Sequence, residues 1–167
     1  MEPSDALSAA AQIAATLTGF TGVVAVFGSG AVHEWPEADR FRLQLLLTAS
    51  IVPLVLSLLG LLLLTTDVQP SVIWSACSGV AAALFVATGI RNLRTFRKIG
   101  PQLDVARGSS LIFILTSSVG IATCLLQIFN MVVWRAFWPF FTVIVAGMLI
   151  ALVQFVRLIL LQPMSRS

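Results

Sequence analysis

Five long stretches without a charged residue constrain this chain more than any other feature. They cover residues 6–32, 43–66, 68–90, 108–134 and 136–156, and each exceeds 20 residues. An α-helix needs about 20 apolar residues to cross a hydrocarbon core of roughly 30 Å. Backbone groups inside a bilayer must bond to one another, which a helix achieves within a single segment. The pattern therefore predicts an all-α, polytopic membrane helix bundle with five transmembrane helices.

The overall composition agrees with this fold class. Hydrophobic residues make up 58% of the chain and charged residues only 10%, whereas soluble domains carry about 25% charged residues. The chain shows no internal repeat, so residues 1–167 are predicted to form a single transmembrane domain. We expect its spans at about 6–27, 40–64, 71–91, 109–131 and 138–160.

Prolines mark several helix boundaries and one bend. Pro36, Pro70 and Pro139 suit the first turns of the second, third and fifth helices, where a missing N–H costs nothing. Pro53 lies inside the second span, where it should bend the helix and free the carbonyl of Ala49. The third helix is predicted to continue past its span to Ile99 and to end at Gly100–Pro101.

The first helix is rich in small residues, which let membrane helices approach closely. Ala11, Ala15, Thr18 and Gly22 fall on one stripe, and Gly19 lies among them. Packing within the chain is the favoured interpretation of this stripe, and a dimer interface is the alternative. We therefore expect the first helix to be largely buried among the others.

Basic residues predict which way round the bundle sits. Nine of the ten Lys and Arg residues fall on the side of the carboxyl terminus, and only Arg135 falls on the other. Cytoplasmic loops carry the excess of Lys and Arg. The amino terminus is thus predicted outside and the carboxyl terminus inside, which also explains the net charge of +3 without nucleic acid. Trp74, Trp134, Phe137 and Trp138 are expected at the outer boundary, and Trp35 at the inner one.

Three amide side chains are candidates for a polar face or a pore: Gln127, Asn130 and Gln154. An amide facing lipid would lack hydrogen-bond partners, so these side chains should face another helix or an aqueous cavity. Gln127 and Asn130 are three residues apart and share a helix face with Cys124. We expect the third and fourth helices to pack antiparallel with this face inward.

A basic stretch follows the third span. Arg91, Arg94, Arg97 and Lys98 are candidates for contact with anionic lipid headgroups, to which each basic residue contributes about 1 kcal/mol. The simpler alternative, and the favoured one, is that these charges only hold the helix in position. Arg157 is expected to extend its side chain toward the same headgroup layer.

Metal, cofactor and catalytic sites are not predicted. His33 with Glu34, Glu37 and Asp39 could form a surface metal site, but a solvated loop before an acidic helix start is the favoured interpretation. Cys77 and Cys124 lie in apolar segments without metal-ligand spacing, and at matching depths that leave a disulfide open. No phosphate-binding glycine loop, nucleophile elbow or metalloprotease helix is present in the sequence. The chain is therefore expected not to be an enzyme.

Segments at both ends resemble a known group of proteins. They are residues 10–15 and 19–28, Glu34–Trp35, residues 39–43, and the closing Gln154–Leu158. These segments resemble small uncharacterised bacterial inner-membrane proteins. The resemblance implies a multi-pass protein of the bacterial plasma membrane and implies no activity.

Two functions of different classes follow from these observations. The first is a non-catalytic membrane component that self-associates or acts as an accessory subunit. The alternative is a small oligomeric channel or passive facilitator, in which several copies surround a polar pore. No Asp, Glu, Lys, Arg or His lies at a predicted span centre, which disfavours proton-coupled transport.

Overall fold

A computed structural model describes residues 2–27, 37–103 and 107–160. Five long helices occupy them: α1 (Pro3–Phe27), α2 (Glu37–Leu64), α3 (Pro70–Leu103), α4 (Arg107–Phe129) and α5 (Phe137–Leu160). A π-helical turn, Asn130–Trp134, continues α4 and is called the π turn below. All five helices are long and apolar enough to span a membrane. The predicted class, an all-α membrane bundle with five spans, is confirmed.

Helix boundaries follow the local chemistry. Pro3 and Pro70 occupy first helical positions, where the missing N–H has no intrahelical partner to lose. α3 does not end at Gly100–Pro101 but runs to Leu103, so this predicted stop is wrong by one turn. Its 34 residues correspond to about 51 Å, well beyond a hydrocarbon core of roughly 30 Å. Pro36 and Trp35 lie outside the described residues.

α2 and α5 form the centre of the bundle. α1 packs against α2 and more lightly against α5, α3 packs against α2 and α4, and α4 also contacts α5. The main core cluster joins all the helices except α4, with Leu7, Leu56, Cys77 and Phe140 buried. Aromatic rings close the same end, where Trp74 lies 4.9 Å from Phe137 between ring centroids. We call this the aromatic end, and the opposite end, which carries Arg42, Arg91 and Arg157, the basic end.

Two glycines permit the closest helix contacts. A Cβ placed on Gly147 of α5 would lie 2.6 Å from Cγ of Pro53 in α2. It would also lie 3.7 Å from the carbonyl oxygen of Ala49, the group whose helical partner Pro53 removes. Gly60 of α2 receives α1 in the same way, since its Cβ would lie 2.8 Å from Leu7 Cδ1. Glycine therefore sets the spacing on both sides of α2.

The expectation that α1 is largely buried is wrong. Its buried face is Ala6, Leu7, Ala10, Ala14 and Thr21. Small residues at four-residue spacing do make the contact, but the contacting set is displaced from the predicted stripe. Within that stripe Ala15 and Gly22 are exposed, and open space surrounds Gly19 and Gly22. The other described side chains of α1 are exposed or only partly buried.

Candidate functional site

Asn130 is the centre of a hydrogen-bonded cluster at the aromatic end, which we call the amide clasp (Ser75, Ser78, Gln127, Asn130 and the backbone they bind). Asn130 is fully buried, and its Nδ2 donates to Ser78 Oγ at 2.7 Å and to the Ala136 carbonyl at 3.0 Å. The Ala136 N–H donates in return to Asn130 Oδ1 at 3.1 Å. One side chain therefore joins α3 to the connection between α4 and α5.

The π turn makes this arrangement possible. The Arg135 N–H donates to the Asn130 carbonyl at 2.8 Å, a five-residue step, and Arg135 has a left-handed backbone with φ 49°. The next N–H, that of Ala136, bonds to the Asn130 side chain instead of continuing the π pattern. The Met131 carbonyl accepts a hydrogen bond from Ser75 Oγ at 2.7 Å. The Met131 carbonyl therefore accepts from a side chain of α3, because the Ala136 N–H bonds elsewhere.

Gln127 extends the clasp to α5. It is fully buried, and its Nε2 donates to the Pro139 carbonyl at 2.7 Å. Its Oε1 has no hydrogen-bond partner among the described residues. Gln127 and Asn130 therefore both face inward, as expected, and both bond to protein groups in neighbouring elements. Neither lines the separate cavity in the basic half of the bundle, which is described next.

A cavity of about 480 Å³ lies in the basic half of the bundle, between α2, α3, α4 and α5. Its lining runs on α2 from Leu45 to Pro53, a distance of about 12 Å along the helix. Gln154 of α5 lines it and is 3% exposed. The three amides that were candidates for a polar face or a pore are therefore separated. Gln127 and Asn130 belong to the clasp, and Gln154 lines the cavity.

Gln154 is also part of a basic cluster. Its Oε1 accepts a hydrogen bond from Arg157 Nη1 at 3.2 Å, and Arg157 lies close enough to Arg42 of α2 for their charges to interact. Arg91 donates from Nη2 to Thr48 Oγ1 at 2.8 Å, which fixes its guanidinium beside the cavity. Arg94, Arg97 and Lys98 are exposed farther along α3.

The cysteines add no further site among the described residues, and the acidic segment lies largely outside them. Cys77 is a free thiol buried in the main core, and Cys124 is a free thiol that lines the cavity, so the two do not pair. His33 and Glu34 lie outside the described residues. No cluster of three metal-ligating side chains occurs within residues 2–27, 37–103 and 107–160.

Several residues of these two sites were missed by sequence reasoning. Ser75 and Ser78 occupy one face of α3 near the depth of Asn130, and this shared depth was the available signal. Thr48 and Asn92 gave no signal, because only the tertiary packing of α2 and α3 brings them to the cavity.

The comparisons with known proteins return no relative. No protein-family model, no curated protein and no solved structure matches the chain. The function must therefore be argued from the geometry of the bundle.

Proposed function

We propose that this chain is a non-catalytic membrane protein that self-associates, or joins a larger assembly as an accessory subunit, through the exposed face of α1. This outward face consists of Gln12, Ala15, Thr16, Gly19 and Gly22, all of which are exposed. The observation that carries the proposal is the exposure of an amide and two glycines on one side of a spanning helix.

The depth of Gln12 makes its exposure costly in a single copy. Gln12 lies nine residues after Pro3, about 13 Å along a helix of 25 residues, which is within the hydrocarbon core. An amide in hydrocarbon lacks partners, whereas across a helix pair it can bond to a polar group. Gly19 and Gly22 have open space before them, which would allow a second backbone to approach. The face therefore combines the two features typical of membrane helix interfaces.

Replacing Gln12 with leucine should weaken self-association in lipid vesicles. Interhelical hydrogen bonds in membranes contribute roughly 1–2 kcal/mol, so the dissociation constant should rise about five- to thirtyfold. Gly19→Leu should weaken it further by holding the two backbones apart. Energy transfer between donor- and acceptor-labelled copies, measured at several protein-to-lipid ratios, gives the dissociation constants.

Ala122→Leu is the matched control, because Ala122 is a small exposed residue on α4. It should leave the energy transfer unchanged. The proposal of self-association through α1 fails if wild-type copies show no transfer above random proximity, or if Ala122→Leu has the same effect as Gly19→Leu.

The hydrogen bonds of Gln127 and Asn130 support a role in helix packing over the channel alternative. A pore lined by Gln127 and Asn130 would require their bonds to Pro139, Ser78 and Ala136 to be broken. Their burial in the single chain gives them a role in holding helices together. No observation favours the channel specifically enough to carry it as a second proposal.

For orientation we propose that the basic end lies in the cytoplasm, which rests on the distribution of Lys and Arg. The proposal of a bacterial plasma membrane rests on the resemblance of the end segments alone. In a chain lacking Cys77 and Cys124, a cysteine at Asp67 should react with a membrane-impermeant maleimide added to intact cells. A cysteine at Lys98 should react only after the cells are opened. Both positions are exposed: Asp67 lies just before α3 at the aromatic end, and Lys98 lies on α3 at the basic end. The reverse labelling pattern would contradict the proposed orientation.

A further inference from the structure

The cavity at the basic end is open because small residues line its two outer helices. Gly89 of α3 and Gly120 of α4 both line it, and nothing lies within 4 Å of the position a Cβ would take on either. The cavity is partly open to the surface of the bundle, since Val86, Ile121 and Leu125 in its lining are exposed. A space of about 480 Å³ is within the range of roughly 300–1,000 Å³ that is typical of small-molecule sites.

The chemistry of the lining changes along the membrane normal. The deep part is apolar and includes Val52, Pro53 and Phe85. The part nearest the basic end carries Thr48, Asn92 and Gln154. An occupant that fits both parts is an amphiphile with its hydrocarbon deep in the bundle and its polar group at the membrane boundary.

The polar groups at the basic end of the cavity, which we call its mouth, specify the lipid headgroup. Arg91 is exposed and is held beside the cavity by its bond to Thr48, and a guanidinium has five N–H donors suited to phosphate oxygens. Asn92 Oδ1 is buried and has no hydrogen-bond partner among the described residues. It therefore lacks a donor. The charged residues of α3 are all basic: they are Arg91, Arg94, Arg97 and Lys98.

We infer that this cavity binds one acyl chain of an anionic glycerophospholipid, with the phosphate on Arg91 and a headgroup hydroxyl donating to Asn92. The lipid comes from the leaflet at the basic end, where Arg91 and Asn92 lie. This site is distinct from surface attraction by the basic stretch as a whole, because it requires both the cavity and one particular arginine. It is also independent of α1, none of whose described side chains lines the cavity.

Native mass spectrometry of the purified protein tests the site with two lipids of identical acyl chains. Phosphatidylglycerol, which carries a phosphate and hydroxyls, should remain bound at one molecule per chain, and phosphatidylcholine should not. Gly120→Phe should remove the bound phosphatidylglycerol by filling the cavity. Arg91→Gln should weaken its binding about fivefold, the effect expected of one basic residue at the membrane surface.

Two matched variants distinguish changes at the cavity from the general effect of an added ring or a lost surface charge. Ala122→Phe adds the same ring to an exposed position of α4 outside the lining, and Arg97→Gln removes an exposed charge away from the mouth. Both should bind phosphatidylglycerol as the wild type does. Gly89→Leu fills the cavity from α3 and replaces Gly120→Phe if that variant loses its helical circular dichroism.

Four results would overturn the inference. The first is equal retention of both lipids by the wild type. The second is unchanged binding in a folded cavity-filling variant. The third is equal weakening by Arg97→Gln and Arg91→Gln, which would assign the lipid to the charged surface. Displacement of the lipid by inorganic phosphate at equal concentration would assign the mouth to a free anion and would also overturn it.

Discussion

Replacing Asn130 with alanine should lower the free energy of unfolding by roughly 2–4 kcal/mol. The change removes three hydrogen bonds, to Ser78 and to both backbone groups of Ala136. It also leaves those backbone groups without their partner, and an unsatisfied buried polar group costs about 1–3 kcal/mol. Unfolding of the purified protein by sodium dodecyl sulfate in mixed micelles measures the loss.

Ser118→Ala provides the control on the same helix. Ser118 is exposed, and its hydroxyl bonds only to the Ile114 carbonyl one turn earlier. Its removal should change stability by no more than about 0.5 kcal/mol. A double-mutant cycle of Asn130→Ala with Ser78→Ala should show a coupling energy of about 1 kcal/mol. Equal stability of the Asn130 and Ser118 variants would show that the clasp does not hold the bundle together.

Gly147→Ala should destabilise the bundle by about 1–3 kcal/mol, the usual effect of overpacking a filled contact. The added Cβ would lie 2.6 Å from Pro53 Cγ, and a proline ring cannot rotate away. α2 and α5 must therefore separate, and these two helices share an extensive interface. The same detergent titration measures the change.

Gly120→Ala is the matched control, because it makes the same substitution where nothing lies within 4 Å. It should be neutral or stabilising by up to about 1 kcal/mol, since alanine favours a helix over glycine. Adding Pro53→Ala to Gly147→Ala should recover part of the loss by removing the ring. No difference between Gly147→Ala and Gly120→Ala would contradict the close contact between α2 and α5.

The sequence predicts the five spans well because each depends only on local composition and charge. Uncharged runs longer than 20 residues have few structural alternatives in a bilayer. Helix ends were harder to predict, as α3 shows: its last turn includes Gly100–Pro101, residues that usually end a helix. The sequence signal at Gly100–Pro101 was therefore not sufficient to predict where α3 ends.

The environment of each helix face could not be predicted, because in a membrane protein apolar residues occupy both the core and the lipid surface. Ala14 and Ala15 are adjacent and identical, yet Ala14 is buried and Ala15 is exposed. Amide side chains were more informative, since an amide without hydrogen-bond partners is costly both in the core and in lipid. This cost predicted the inward direction of Gln127 and Asn130. Their actual partners depend on the π turn, for which the sequence offered no signal.

The amide clasp also determines how α4 can move. Directed bonds fix its aromatic end to α3 and α5, whereas its other half borders an open cavity. Fluctuations of a folded protein concentrate where packing is sparse. We therefore expect α4 to move most easily by tilting about its aromatic end. We expect such a movement to change the area that the protein occupies at its basic end and not at its aromatic end.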